Sequence, residues 1–236
     1  MSDITPELLS YLRQLSEIEP VLVLDRTVSP GKTGEKVADD SRLKDLEREV
    51  STCTLCELAR TRRNVVFGTG DPHARLMFVG EAPGADEDRQ GEPFVGRAGK
   101  LLTRFIKGMK MERSQVYIAN ILKCRPPGNR DPLPEEMTVC FPHLKRQIEL
   151  IKPDVLVALG KVAAVKMLDL SPTVSLKSLR GRVFNFQGHP LVVTYHPAAL
   201  LRTSAYSVPT WEDLQFVMKL LSGEIKREPA EEARLL

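Results

Sequence analysis

A parallel-sheet α/β fold is predicted by three features of the sequence. Four short apolar runs have strand length, amphipathic helical patterns lie between them, and Gly- or Pro-bearing segments follow three of the runs directly. In chain order, Thr5 and Pro6 open a pattern with Leu8, Leu9, Leu12 and Leu15 on one stripe, which predicts a helix over 5–18 within an N-terminal extension, 1–24. Residues 25–40 are rich in Gly, Pro, Ser, Thr and charge and read as a flexible linker. A helix is expected from about Ser41, where Leu43, Leu46, Val50 and Cys53 recur at helical spacing. The strand candidates are Leu76–Val79, Val116–Ile121, Val155–Leu159 and Leu191–Thr194. The helical patterns between them cover Leu101–Met109, Glu135–Ile151 and Val162–Leu168. The main domain is bounded at 41–222 and is followed by a charged tail, 223–236. No internal repeat is present.

In sheets of this kind ligands sit beyond the carboxyl ends of the strands. The segments that follow the first, second and fourth strands are Gly80-Glu81-Ala82-Pro83-Gly84, Lys123-Cys124-Arg125-Pro126-Pro127 and Tyr195-His196-Pro197. Topology therefore brings the chemically richest stretches to one rim.

Composition narrows the function. No apolar run approaches the ~20 residues of a membrane helix. The first residues lack the basic and apolar regions of a signal peptide, so a cytoplasmic protein without stable disulfides is expected, with no membrane partner. The net charge of +3 hides an asymmetry: from Ser51 to Tyr206, 23 Lys and Arg stand against 14 Asp and Glu, while the flanks are acidic. A basic centre suits a polyanion such as nucleic acid, although many proteins carry comparable patches.

Four cysteines are spaced as Cys53-x-x-Cys56, then Cys124 and Cys140. Buried unrelated thiols, a zinc site and an iron–sulfur cluster all remain open on this spacing. A zinc ribbon more often has two C-x-x-C knuckles, and the spread second pair favours the cluster.

At the rim, Gly80–Gly84 permits tight turning and close backbone approach to a flat ligand, with Pro83 as a stiffener. The acidic run Asp86-Glu87-Asp88 and then Pro93-Phe94-Val95-Gly96-Arg97-Ala98-Gly99 follow, which is more than a plain strand-to-helix turn needs. Asn120, at a strand end, offers an amide that donates and accepts together, as reading a base edge requires. His196 leads into Pro197-Ala198-Ala199-Leu200-Leu201-Arg202, a loop that presents an imidazole, apolar wedges and a cation.

These motifs, in this order and with Asn120 shortly before Cys124, resemble those of the family 4 uracil-DNA glycosylases over about residues 50–220. The resemblance implies a three-layer α/β/α fold around a four-stranded parallel sheet, and an enzyme that hydrolyses the N-glycosidic bond of uracil in DNA; single- and double-stranded DNA both stay open as partners, and a monomer is expected. It implies that Gly80, Glu81, Ala82 and Gly84 line the uracil pocket, that Phe94 stacks on the base, that Asn120 bonds its Watson–Crick edge and that His196 lies at O2. Glu87 would shape the pocket near C5. Glu81, Glu87 and His196 are the catalytic candidates, because Ala82 stands where family 1 enzymes carry a water-activating Asp. Lys123, Arg125, Leu200, Leu201 and Arg202 are the DNA-facing candidates, and Arg130 could join them. Cys53, Cys56, Cys124 and Cys140 would hold one structural 4Fe–4S cluster. A related branch with a basic insertion after the first motif becomes trapped on DNA, and Arg89-Gln90-Gly91-Glu92 leaves no room for one here.

Two other classes fit less well. A non-catalytic DNA-binding module would not need Phe94, Asn120 and His196 together. A Rossmann-type nucleotide enzyme would need a phosphate loop such as G-x-G-x-x-G, and the sequence has none.

Overall fold

The computed structural model describes residues 40–225. The helix expected at 5–18, nearly all of the 25–40 linker and most of the tail lie outside the described residues. The helix expected from about Ser41 is α1, Asp40–Ser51, which buries Leu46 and Val50.

The sheet has six strands in the order β1-β3-β2-β4-β6-β5. These are β1 (Thr69–Gly70), β2 (Leu76–Gly80), β3 (Tyr117–Asn120), β4 (Val155–Leu159), β5 (Val183–Phe186) and β6 (His189–Thr194). The inner four, β3, β2, β4 and β6, are parallel neighbours and are the four read from sequence. Two antiparallel edge strands were not expected. β1 is two residues long, too short to make a pattern. β5 has no continuous apolar run, because only Phe186 in it is fully buried. Gln187 and Gly188, both in the left-handed region with φ 52° and 85°, make the two-residue turn into β6. That turn conformation matches the twist of a hairpin, and it explains why β6 begins two residues earlier than its apolar run.

The pleat sends alternate residues of each strand to opposite faces. On one face Leu76, Phe78, Val157 and Val192 pack with Leu102 and Phe105 of α3 (Arg97–Gly108) and with Trp211 and Val217 of α8 (Ser207–Ser222). On the other, Met77, Val79, Ala158 and Val193 pack with Leu144 and Ile148 of α4 (Pro134–Ile151) and with Ala163 and Ala164 of α5 (Lys161–Leu168). This is the three-layer α/β/α arrangement. Three shorter helices are α2 (Ala85–Gln90), α6 (Leu176–Leu179) and α7 (Pro197–Leu200). Among the described residues no helix is long and apolar enough to cross a membrane.

β2 lies between β3 and β4, so the chain reverses its direction of travel across the sheet at β2. Such a switch opens a crevice at the carboxyl ends of the strands. Gly80 and Asn120, the last residues of β2 and β3, stand side by side there.

Candidate active site

The crevice gathers residues from four loops. A Cβ on Gly80 would lie 2.3 Å from Asn120 Oδ1 and 2.6 Å from Phe94 Cζ, so only glycine leaves the floor open. The Phe94 and His196 rings are 5.5 Å apart, tilted by 37°. Asn120 is 1% exposed and its Oδ1 is buried without a hydrogen-bond partner. An unmet acceptor of that kind costs about 1–3 kcal/mol, which a bound ligand carrying an N–H would recover.

Phe94 is held in place against its own backbone preference. Its φ is 53°, a conformation that a bulky residue seldom adopts and that persists only when its surroundings enforce it. Glu87 enforces it from one side, accepting from Val95 N at 3.0 Å, Gly96 N at 2.9 Å and Gly84 N at 3.1 Å. Arg113 donates to the Pro93 carbonyl from another. Gly99 makes room: a Cβ there would meet Phe94 O at 1.7 Å. Glu87 thus ties the Gly80–Gly84 loop to the Phe94 loop, and both its oxygens are engaged in that latch. Of the neighbouring acids, Asp88 is buried and accepts from Arg63 N, whereas Asp86 pairs with Arg89.

His196 sits at the mouth of α7. The Ala198 N–H donates to its Nδ1 at 3.1 Å. Nδ1 is therefore the acceptor nitrogen, and in the neutral ring Nε2 carries the proton. Although the residue keeps some exposed surface, burial of the imidazole pulls its pKa down to about 4, helped by the nearby Arg202 cation, with Glu87 opposing. The ring is thus a neutral N–H donor at physiological pH. Gly160, after β4, permits its approach, since a Cβ there would touch His196 Cβ at 2.9 Å.

Glu81 behaves differently from Glu87. Burial, with repulsion from Asp131, raises its carboxyl to about 7. A carboxyl tuned to neutral pH beside a crevice is the usual signature of acid–base work.

A second convergence lies behind β3. Cys53 and Cys56 follow α1, Cys124 follows β3, Cys140 is on α4, and all four line one small cleft with Arg62 and His143. Arg62 Nη1 donates to Cys124 Sγ at 3.3 Å and Lys123 N to Cys140 Sγ at 3.3 Å. His143 Nε2 is 3.7 Å from Cys53 Sγ. Donors aimed at sulfur suit thiolates that carry charge. Among the described residues no three His, Cys, Asp or Glu gather tightly enough to hold a single metal ion. The four thiols surround a cleft and not a point, and the donor set fits a sulfur-ligated iron cluster.

Residues 67–215 match the family model described as the uracil DNA glycosylase superfamily. A type-4 uracil-DNA glycosylase of Archaeoglobus fulgidus is 46% identical over 166 residues, covering 67% of this chain and 83% of that protein. One from Thermotoga maritima is 47% identical over 158 residues, 66% of this chain and 82% of that protein. A type-5 enzyme of Thermus thermophilus is more distant, 34% identical over 118 residues, 44% of this chain and 53% of that protein. The chain belongs to the type-4 uracil-DNA glycosylase family.

The DNA-facing candidates of this family member divide. Lys123 is 1% exposed and its Nζ is bonded inside the protein, so it cannot meet DNA; the residue type suggested surface, but the end of β3 turns it inward. Leu200 is buried in the core beside α3 and cannot act as a wedge. Its neighbour Leu201 is 40% exposed and remains available. Arg202 is exposed next to His196. Arg125 is half-buried and donates to Asn129 Oδ1. Arg130 is committed to Glu136 through both its terminal nitrogens. Sequence reasoning missed Arg62, Arg113, His143 and Gln147, whose partners lie far away along the chain and leave no local pattern.

Proposed function

We propose that this chain removes uracil from DNA by flipping the nucleotide out of the stack and hydrolysing the bond from uracil N1 to the sugar. The observation that carries the reading is the buried Asn120 amide, whose Oδ1 has no hydrogen-bond partner, at the floor of a crevice walled by Phe94 and a neutral His196. A pyrimidine edge offers both an acceptor and an N–H to such an amide. Gly80 keeps the space open for the flat ring, and Phe94 provides a face to stack against.

As the glycosidic bond breaks, the bonding pair stays with uracil and positive charge grows at C1′ of the sugar. His196 Nε2–H, preorganised by the Ala198 bond, is placed to stabilise the anion at O2. Glu81 is the carboxylate assigned to orient the attacking water and take its proton, because Glu87 is occupied as the latch between two loops. The hydroxyl joins C1′, and uracil takes up a proton on release. Leu201 fills the vacated stack, and Arg202 and Arg125 hold phosphates. Glu87 contributes to rejecting thymine by fixing the shape of the pocket. The four cysteines hold a 4Fe–4S cluster, which supplies a structural cross-link between the end of α1 and the β3–α4 region.

The reading is tested by single-turnover excision from an end-labelled oligonucleotide with one uracil, scored as alkali-labile breaks across pH. Glu81 is mostly protonated below pH 7, and the carboxylate is the active form. The rate should therefore climb about tenfold per pH unit below about 7 and level off above it. His196 is neutral throughout that range and adds no second limb. Glu81→Gln should flatten the profile at a low rate. Intact strands at every pH would rule out the activity, and a flat wild-type profile would remove Glu81 from its role.

A further inference from the structure

Lys123 is a buried cation that the proposed mechanism does not use. Its side chain is among the largest that are fully enclosed, and no carboxylate among the described residues pairs with it. Nζ donates instead to two neutral acceptors, the Asn120 carbonyl at 2.9 Å and Gln147 Oε1 at 2.5 Å. Gln147 is itself fixed, since its Nε2 donates to Phe67 O at 3.1 Å and Tyr117 Oη at 3.3 Å. Two neutral oxygens do not offset the loss of water around an ammonium, and a buried charge normally requires an opposite one. Opposite charge is at hand from the thiols, since Lys123 lines the same cleft as Cys53, Cys56, Cys124 and Cys140. The same residue touches them through its main chain, its N–H reaching Cys140 Sγ and its carbonyl leading directly into Cys124.

We infer that Lys123 is a positioning residue that couples the thiolate cluster to the base-reading amide: its buried ammonium balances the charge of the ligated sulfurs and pins the carbonyl of Asn120. The inference rests on the reading of Asn120 given above. A cluster held by four thiolates is anionic, so an ammonium beside it is both stabilised by it and able to tune it. The bond to the Asn120 carbonyl fixes the last residue of β3, where a small displacement moves the side-chain amide relative to Phe94 and Gly80. The four cysteines then contribute more than a cross-link, because the charge they hold keeps the lysine in place, and the lysine holds the reader.

The test uses holoenzyme with its iron. Lys123→Met keeps the length of the side chain but removes the charge and the donors. It should leave iron content and affinity for uracil-free DNA unchanged. It should shift the midpoint potential of the cluster to more negative values, because an adjacent positive charge favours the reduced form. Single-turnover excision of uracil should fall by about 100-fold, the usual effect of an ~1 Å misplacement in a site. Wild-type excision in a variant that retains its iron would overturn the proposal. So would lost excision with an unchanged potential, since the ammonium would then not be a partner of the cluster. If Lys123→Met does not accumulate as folded protein, Lys123→Arg carries the test, because it keeps the charge. A potential like that of wild type, with excision reduced less than about tenfold, supports the coupling; a potential displaced to more negative values contradicts it. If wild-type protein with full iron fails to excise uracil at all, the reading of the site fails first, and the shift in potential still reports on the lysine and the cluster.

Discussion

Replacing His196 with Ala should slow single-turnover excision about 100- to 1000-fold, the usual cost of removing one preorganised donor to a developing anion. The magnitude follows from three features of the structure. The Ala198 N–H occupies Nδ1, so the ring has one defined donor, Nε2–H. Burial keeps the ring neutral down to about pH 4, so no proton has to be lost or gained before it can act. The ring also faces Phe94 at 5.5 Å, in contact with the same crevice that Asn120 closes from below. In the proposed mechanism a neutral donor would stabilise the uracil anion without giving up its proton, as a site with Ala82 in place of an aspartate would require. His196→Gln, which keeps an N–H donor in roughly the same place, should recover part of the loss. Excision by His196→Ala within a few-fold of wild type would show that the anion is stabilised elsewhere.

Asn120→Ala should be of comparable severity, about 100-fold or more, through a different route. A pocket built to satisfy one hydrogen-bonding edge discriminates strongly because its polar groups are left unpaired by the wrong partner. Removing the amide abolishes that reading. It also frees space beside Gly80 that water can enter. Affinity for uracil-free DNA should change little, because phosphate contacts dominate non-specific binding and Asn120 is buried. Excision rates with enzyme in excess, set against binding of uracil-free duplex, separate the two effects. Equal loss in both would mean that Asn120 supports the fold and not the recognition of the base.

Much of this site was legible in the sequence because its parts follow strand ends. Gly80, Asn120 and His196 each lie at or just past the carboxyl end of an inner strand, and a parallel α/β sheet brings those ends to one rim. Phe94 was marked by the glycines around it, and the structure gives the reason: Gly99 approaches the Phe94 carbonyl so closely that no side chain fits. The roles of the acids were not legible. Glu81, Asp86, Glu87 and Asp88 look alike in a row, and only the three backbone N–H groups that converge on Glu87 separate the latch from the titrating Glu81. Lys123 and Leu200 were misplaced for a related reason. Residue type predicts exposure on average, but the turn after β3 and the register of α7 decide which of two neighbours points inward. Of the adjacent leucines 200 and 201, one is 3% and the other 40% exposed. The cysteines could be counted from sequence, whereas Arg62 and His143 around them become visible only after folding.

The crevice between Gly80, Phe94, Asn120 and His196 is proposed to accept uracil and to reject its near relatives. This selectivity is tested most directly with three labelled duplexes that differ at one position only, carrying uracil, thymine or cytosine, each incubated with excess enzyme and then treated with alkali. Strand breaks are expected at uracil, with cytosine processed at least about 100-fold more slowly because its wrong edge leaves buried polar groups unpaired, and thymine processed more slowly because its C5 methyl does not fit the pocket whose shape Glu87 fixes. Breaks at thymine or cytosine approaching the rate at uracil, or none at any of the three, would contradict this expectation.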